Sequence, residues 1–352
     1  MEEIKQAHKR RVRYSGTHPK RFSEKYKEQN PEKYASEVEK IISKGKTPAG
    51  MHISICVNEI LDFLQIQPGQ KGLDATLGYG GHTSKMIEKL EGNGHVYGLD
   101  IDPIEIEKTT ERLRCNGFSE EIFTPIHTNF ANIDEVCKEF GEFDFMLADL
   151  GVSSMQIDNP DRGFSFKREG ALDLRLNPQK GIPASEMLQK INYMDLKDIL
   201  IENSDEPYAH EIAKSIMRHN KTGEYIDTTS KLKAVVDEIV ENDDSVKKSM
   251  KKEMAKKSCQ RTFQAIRIEV NHEFEVLHDF LEKLPNVLKS GGRVAILTFH
   301  SGEDRLVKKA FKDYMRAGVF SDIANDVIRP SAEECRKNSR ATSTKMRWAI
   351  KA

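Results

Sequence analysis

Apolar and polar positions follow two different periods along the chain after residue 52. Short apolar runs typical of strands, such as HVYGLDID, IFTPIHTN and FDFMLADLG, are separated by segments with helical spacing, such as VNEILDFL and the stretch from Pro103 to about Arg114. Strands that alternate with helices predict a parallel sheet covered by helices on both faces. We therefore expect an α/β domain here.

The pattern changes after DLGVSSMQID. A loop-rich stretch, DNPDRGFSFKREGALDLRLNP, is followed by helical patterns from about Pro183 to Lys257 that contain no convincing strand. The alternation resumes with FEVLHDFLEKLPNVLKSGG, a predicted helix that ends at Gly-Gly, and with the apolar strand RVAILTFHS. We predict an extension over residues 1–48, an α/β domain over 49–157 and 262–352, and an inserted helical domain over 158–261.

A glycine-rich turn joins the first predicted strand to the next helix in DATLGYGGHTSKMIEKL. Glycine lets the backbone approach a ligand, but the third glycine of the dinucleotide fingerprint is missing, since His82 and Thr83 follow Gly81. Asp100 ends the second strand at the spacing where a carboxylate meets ribose hydroxyls. The pattern suits an adenosine-bearing ligand without pyrophosphate, such as S-adenosylmethionine. Glycines that serve only tight packing are the alternative.

Composition adds a basic N-terminal arm to this picture. The chain has 352 residues and a net charge of -1, so nucleic-acid binding would require local patches. The first 46 residues carry 13 Lys and Arg against 7 Glu, interleaved with Tyr14, Phe22, Tyr26 and Tyr34. This composition predicts an extended arm that ends in a helix. Its aromatic and basic side chains suit unpaired RNA, and a solvated tail is the alternative.

Other compositional features concern location and metals. No apolar run reaches the roughly 18 residues of a membrane helix, and the polar N-terminus lacks the core of a signal peptide, so we expect a cytoplasmic protein without membrane contact. The five cysteines are scattered without a C-x-x-C pair. We therefore expect reduced thiols and no metal site.

Several motifs, in order from about His52 to the C-terminus, resemble the RsmH family, also called MraW. They are DATLGYGGHTSKMI, LDIDP, DLGVSSMQIDNPDRGFSFKREGALDLRLNP, RTFQAIRIEVNHE, GGRVAILTFHSGEDRLVK and NSRATSTKMRWA. The resemblance implies S-adenosylmethionine-dependent methylation of the N4 amine of a cytidine in the decoding region of 16S ribosomal RNA. It also implies a class I methyltransferase fold, Rossmann-like with an antiparallel last strand, and an inserted helical domain that helps bind RNA.

Transferred residue by residue, the resemblance implies a set of methyl-donor contacts. These are Gly80, Gly81, His82, Asp100, Phe130, Asp149 and Gln156. Asp100 can accept from ribose hydroxyls and Phe130 can lie along adenine. For His82 an exposed helix position is the alternative, and for Phe130 core packing.

The chain departs from the family pattern at several positions. The family's His-x-Pro is His52-Ile53-Ser54, a Met replaces the Pro of Ser-Ser-Pro-Gln at Met155, and Gly302 replaces a Leu. Ser204-Asp205-Glu206 and Ser258-Cys259-Gln260 also differ from the family's Gly-Glu-Glu and Pro-Ala-Thr. These departures suggest a divergent or paralogous member.

The chemistry requires an acceptor for a proton of the cytosine amine, whose lone pair is conjugated with the ring. We predict that Asp149, or a main-chain carbonyl between Leu150 and Ser153, fills this role. No nucleophilic cysteine is needed, because the ring is not attacked.

The cytidine must leave its stack, and a loop with aromatic and cationic residues suits a splayed base. We predict RNA contacts at Arg162, Phe164, Phe166, Lys167, Arg168, Arg261 and Arg267. The Lys-rich stretch SVKKSMKKEMAKKSCQR is a second basic patch, or a solvated helix face. The expected partner is 16S ribosomal RNA or the 30S subunit, with a homodimer as an open alternative.

Four other functions compete with this one. A nicotinamide dehydrogenase lacks the third glycine and a His/Arg substrate pair. A DNA cytosine-N4 methyltransferase would carry an Asn-Pro-Pro-aromatic type of motif, which is absent. A non-catalytic assembly factor that binds S-adenosylmethionine or RNA stays open as an alternative, as does a methyltransferase for another nucleotide.

Overall fold

The computed structural model describes residues 54–352. The predicted basic arm, with its terminal helix and its four aromatic residues, lies outside the described residues, as do His52 and Ile53. Within the described part, none of the helices combines the length and apolar character that a membrane crossing requires.

Seven strands form one sheet in the order β3-β2-β1-β4-β5-β7-β6. Their bounds are β1 Lys71–Asp74, β2 His95–Asp100, β3 Phe123–His127, β4 Phe143–Asp149, β5 Leu288–Thr298, β6 Phe320–Ile323 and β7 Lys345–Lys351. Strands β1 to β5 pair in parallel, and β7 lies antiparallel to both β5 and β6. The prediction of a Rossmann-like class I methyltransferase fold with an antiparallel last strand is confirmed.

The helices fall into two groups. Those joined to the sheet are α1 Val57–Leu64, α2 Gly81–Lys89, α3 Pro103–Cys115, α4 Ile133–Phe140, α5 Ser154–Asp158, α11 Glu273–Val287, α12 Ser301–Arg316 and α13 Ala332–Lys337. The second group lies between α5 and α11 and comprises α6 Ala184–Lys190, α7 Tyr193–Ser204, α8 Ala209–Thr222, α9 Thr229–Glu241 and α10 Lys248–Asn271. The sequence patterns predicted this grouping.

The central strands are buried on both faces, which explains their continuous apolar sequences. Along β4, Met146 belongs to the core under α11 and α12, whereas Phe145 and Leu147 belong to the core under α1 and α2. Successive strand residues point to opposite faces, so each strand supplies both cores.

The predicted end of one helix at Gly-Gly is wrong. Helix α11 ends at Val287, and β5 begins at Leu288, which is buried and pairs with Phe143. The pairing shifts before Arg293, and Gly291 has a φ of 75° within this irregular part of the strand. The two glycines therefore lie in a bulge of the strand.

The helices from α6 to α10 have a hydrophobic core of their own, built around residues such as Leu200, Ile212, Val236 and Ile266. Helix α10 is basic and mostly exposed at its start and enters this core with its second half. The predicted domain boundary at residues 261/262 falls inside this one continuous helix. The helix thus links the helical segment to α11 and the sheet.

Candidate active site

The site lies where strand order reverses between β1 and β4, at the carboxyl ends of the parallel strands. Open α/β sheets bind ligands in the crevice at this position. Asp74, Asp100 and Asp149 are the last residues of β1, β2 and β4. The fold therefore brings three carboxylates to one edge of the sheet, beside the glycine-rich turn.

The glycine-rich turn is closely packed. Gly80 has a φ of 76°, in the region that favours glycine, and it precedes α2, which begins at Gly81. A Cβ added to Gly81 would lie 2.1 Å from Ser54 Oγ. The N–H of Gly78 donates to Asp100 Oδ2 at 2.8 Å. The turn is thus fixed to the end of β2, and its backbone conformation already explains the glycine at Gly80.

Asp100 keeps acceptor capacity for a ligand. Its second oxygen accepts from the N–H of Asp102 at 2.8 Å, so each carboxylate oxygen has one observed donor. A carboxylate offers about four lone-pair sites, which leaves room for two hydroxyl donors. Burial raises the pKa of Asp100 to about 7, although the two backbone hydrogen bonds act in the opposite direction.

His82 is buried against Asp149. Its Nε2 lies 2.9 Å from the carbonyl oxygen of Ile55, which can only accept, so Nε2 carries a proton. Its Nδ1 lies 3.6 Å from Asp149 Oδ2, an ion-pair distance. When the ring is neutral, His82 Nδ1 and Asp149 Oδ2 are both hydrogen-bond acceptors. A proton on either of these two atoms makes the contact favourable, because one atom then faces the other as a donor.

Asp149 has an unused oxygen. Its side chain is 21% exposed, and its Oδ1 is buried without a hydrogen-bond partner in the described part of the chain. Burial raises the pKa of Asp149 to about 6, with His82 opposing the shift and Asp74 adding to it. Burial also raises the pKa of Asp74, which accepts from Thr83 Oγ1 at 2.6 Å. A cationic ligand in the crevice would stabilise the ionised forms. These residues therefore fit the sulfonium and ammonium groups of S-adenosylmethionine.

Two other predicted donor contacts have internal roles. Phe130 is half-buried after β3, and its ring meets Phe280 edge-on at 5.3 Å. Gln156 is buried, its Oε1 accepts from the N–H of Ser153, and its Nε2 donates to Asp102 at 2.8 Å. Within the described part of the chain, one amide hydrogen of Gln156 has no acceptor and remains for a ligand. Donor contact by these two residues stays a prediction.

Sequence reasoning missed Asp102, which organises the floor of the site. Asp102 is fully buried and caps α3 by accepting from the N–H groups of Ile104 and Glu105. Its Oδ2 also accepts from Gln156 and from Arg162 Nη1, at 2.8 and 2.7 Å. The signal was present in LDIDP, because Asp before Pro is a typical helix start.

The prediction of RNA contact by Arg162 and Phe164 is wrong, because both side chains are buried. The Arg162 guanidinium is bound to Asp102 and to the carbonyl oxygens of Arg175 and Leu176. A buried cation needs such partners, and an Arg within a polar loop gives no sign of this in sequence.

The other RNA candidates divide by exposure. Lys167 is exposed, and Phe166, Arg168 and Arg261 are half-buried. Phe166 also meets Phe263 of α10 edge-on at 5.6 Å. Arg267 forms a two-pronged ion pair with Glu273, at 2.7 and 2.8 Å, which ties α10 to α11. Arg267 is thus committed to an internal contact, and the others stay predictions.

The turn after β5 adds further groups to the crevice. Glu303 is buried, accepts from the N–H of Phe299, and lies 3.1 Å from His300 Nε2. Although burial opposes ionisation, these partners hold the pKa of Glu303 below its usual value. A Cβ on Gly302 would lie 2.5 Å from the Phe274 ring, so an aromatic ring occupies the space beside this departure from the family pattern.

Comparison with known proteins places the chain in a family. A sequence model of the MraW methylase family matches residues 49–352. The chain is 67% identical over 345 residues to ribosomal RNA small subunit methyltransferase H 1 of Lachnoclostridium phytofermentans, covering 98% of this chain and 93% of that protein. It is 62% identical to the protein of the same name from Agathobacter rectalis, and 56% identical to methyltransferase H 2 of Alkaliphilus metalliredigens, over the whole of each chain. The chain therefore belongs to the MraW methylase family.

Proposed function

We propose that this protein methylates the N4 amine of a cytidine in the decoding region of 16S ribosomal RNA, with S-adenosylmethionine as the donor. The relatives are named small-subunit ribosomal RNA methyltransferases. The observation that carries the proposed chemistry is Asp149, whose carboxylate has an unpaired oxygen at the carboxyl end of β4. An acceptor beside the donor crevice is what an amine substrate requires.

The chain's own residues would hold the donor by charge and by hydrogen bonds. Asp100 would accept from the ribose hydroxyls, and the glycine-rich turn from Gly78 to Gly81 would let the ligand approach the backbone. Asp74 and Asp149 would supply negative charge near the sulfonium, which carries the methyl group to be transferred. Close alignment with the amine and exclusion of water are the main contributions expected of the site.

Asp149 would act on the substrate amine. By accepting a hydrogen bond from N4–H, its carboxylate would increase the electron density on the nitrogen as the N–C bond forms and the S–C bond breaks. The cationic N4 product must then lose one proton, which Asp149 would take. His82 Nδ1 lies 3.6 Å behind Asp149 Oδ2 and could receive that proton in turn.

A main-chain carbonyl between Leu150 and Ser153 is the alternative acceptor. An Asp149→Asn variant distinguishes the Asp149 carboxylate from a main-chain carbonyl as the acceptor, because the amide oxygen of Asn can accept a hydrogen bond but is not a base. We expect Asp149→Asn to lower kcat at saturating donor about 10²- to 10⁴-fold, the usual range for loss of a general base. Donor affinity should fall by less than kcat, because Asp74 and Asp100 still contact the donor.

Donor binding by calorimetry and transfer of a labelled methyl group to 16S ribosomal RNA would measure this. Asp279→Asn is a matched control, because Asp279 is 60% exposed on α11. Full turnover by an Asp149→Asn enzyme that binds the donor normally would exclude the acceptor role and favour the main-chain carbonyls.

RNA would be held outside the crevice. Lys167 and the half-buried Phe166, Arg168 and Arg261 support contact with a splayed base and its phosphates. The exposed lysines at the start of α10 extend this basic surface. The predictions of a cytoplasmic location and of a homodimer stay predictions.

Two other functions would give different results in the transfer assay. A family member for another nucleotide would transfer the methyl group to a different position of the RNA. A non-catalytic assembly factor would bind the donor or RNA and transfer nothing.

A further inference from the structure

A polar pocket lies beside the crevice, at the far side of β5. Its volume is about 250 Å³, and its walls come from α12, from the loop after β6 and from the start of β7. Its charged residues are Asp304, Lys308, Asp326, Arg329, Lys345 and Arg347. Four cations and two carboxylates line the pocket, and a water in liquid occupies about 30 Å³, so an anion with several waters fits.

The pocket opens on the same edge of the sheet as the crevice. The start of β7 pairs with the carboxyl end of β5, and Ile328 in the loop after β6 bridges Met346 at the start of β7, so this loop also lies at that edge. Asp149 pairs with Leu297, which pairs with Met346, next to Lys345. Neighbouring strands are about 4.8 Å apart, so the Cα atom of Lys345 lies two strands away from the Cα atom of Asp149, or roughly 10 Å.

Some of the charged residues in the pocket form ion pairs and others do not. Asp304 accepts from Arg347 at 2.7 and 3.3 Å and from Lys345 at 3.1 Å, and these partners lower its pKa despite burial. Neither Lys308 nor Arg329 has a carboxylate within ion-pair distance among residues 54–352, and both side chains are exposed at the rim.

We propose that this pocket binds a backbone phosphate of the RNA, from a nucleotide next to the one held at Asp149. Lys308 and Arg329 supply the direct contacts. Lys345 and Arg347, anchored by Asp304, supply fixed positive charge at the base of the pocket. Phosphate contacts of this kind set the position of a nucleic acid without reading its sequence. The inference rests on the proposed function, because it takes RNA as the substrate.

The test is a double variant, Lys308→Gln/Arg329→Gln, which leaves the Asp304 ion pairs in place. Its control is Lys89→Gln/Arg114→Gln, which removes the same charge near the C-termini of α2 and α3. Binding of a 16S ribosomal RNA fragment would be measured across salt concentrations, together with donor affinity and the KM and kcat for RNA.

We expect the pocket variant to bind RNA roughly three- to tenfold more weakly, as for loss of one phosphate contact. The slope of log affinity against log salt should fall by about 0.7 relative to the control, the value for one phosphate of a single strand. KM should change more than kcat, and donor affinity should not change. RNA binding and slope equal to those of the control would overturn the proposal.

The binding measurement does not depend on methyl transfer. If the wild-type protein binds the fragment but transfers no methyl group, the proposed reaction is contradicted. The comparison of RNA binding between the two double variants would still test phosphate binding by the pocket. A wild-type protein that does not bind the RNA would overturn both.

Discussion

Three aspartates near the crevice differ in the hydrogen bonds left open to a ligand. Asp102 accepts from two backbone N–H groups and two side chains, so its capacity is filled internally. Among residues 54–352, Asp100 accepts from two backbone N–H groups only. Asp149 has an oxygen without a partner among the described residues. These differences in open hydrogen bonds fit a structural role for Asp102, donor binding for Asp100 and proton acceptance for Asp149.

The raised pKa of Asp149 predicts a pH-dependent rate. The carboxyl must be ionised to accept a proton. Burial raises the pKa of Asp149 to about 6 and the cationic donor lowers it from there, so activity should be lost as the pH falls below about 6. Steady-state rates at saturating donor between pH 5 and 8 would show this, because saturation removes the effect of Asp100 on donor binding. A rate independent of pH over this range would contradict an ionised Asp149 as the base.

A substitution at Gly81 tests whether this glycine serves only the packing of the turn or also lets the donor approach the backbone. Gly81→Ala would place a methyl group 2.1 Å from Ser54 Oγ, a side chain that can rotate away, so we expect a small loss of stability. If the donor also approaches this position, donor affinity should fall about tenfold or more.

In a Ser54→Ala background, Gly81→Ala should regain its thermal stability but not its donor affinity. Thermal unfolding and calorimetry would measure the two quantities. Recovery of donor affinity together with stability would show that Gly81 serves only packing.

At the scale of elements, the buried ion pair of Asp102 and Arg162 joins the start of α3 to the loop after α5. Asp102→Ala would leave Arg162 buried without its carboxylate and should cost about 3–5 kcal/mol of unfolding free energy. Urea unfolding would measure this. The double variant Asp102→Ala/Arg162→Leu should be clearly more stable than Asp102→Ala, and equal stabilities would contradict the role of the pair.

Much of the element order follows from local sequence, and the exceptions have physical causes. The buried strands and amphipathic helices were predictable because their periodicity reflects burial. The irregular start of β5 was not, because the pairing of Leu288 with Phe143 is a contact distant in sequence. Burial of Arg162 was unpredictable for the same reason, since its partner lies 60 residues earlier in the chain.

At the scale of the molecule, a chain of net charge -1 is proposed to bind a polyanion, so the positive charge must be local. The described residues concentrate cations on α10 and around the pocket beside β7, on the edge of the sheet that carries the crevice. The basic arm predicted for residues 1–48 lies outside the described residues. Recognition is thus expected to depend on the placement of charge around the crevice rather than on net charge.

The measurement that tests the central claim most directly is nucleoside mass spectrometry of 16S ribosomal RNA from cells with and without this gene, with the modified position mapped. We predict loss of one N4-methylcytidine in the deletion strain, and its return with the wild-type protein but not with an Asp100→Ala variant. An unchanged N4-methylcytidine in the deletion strain would contradict the proposed function.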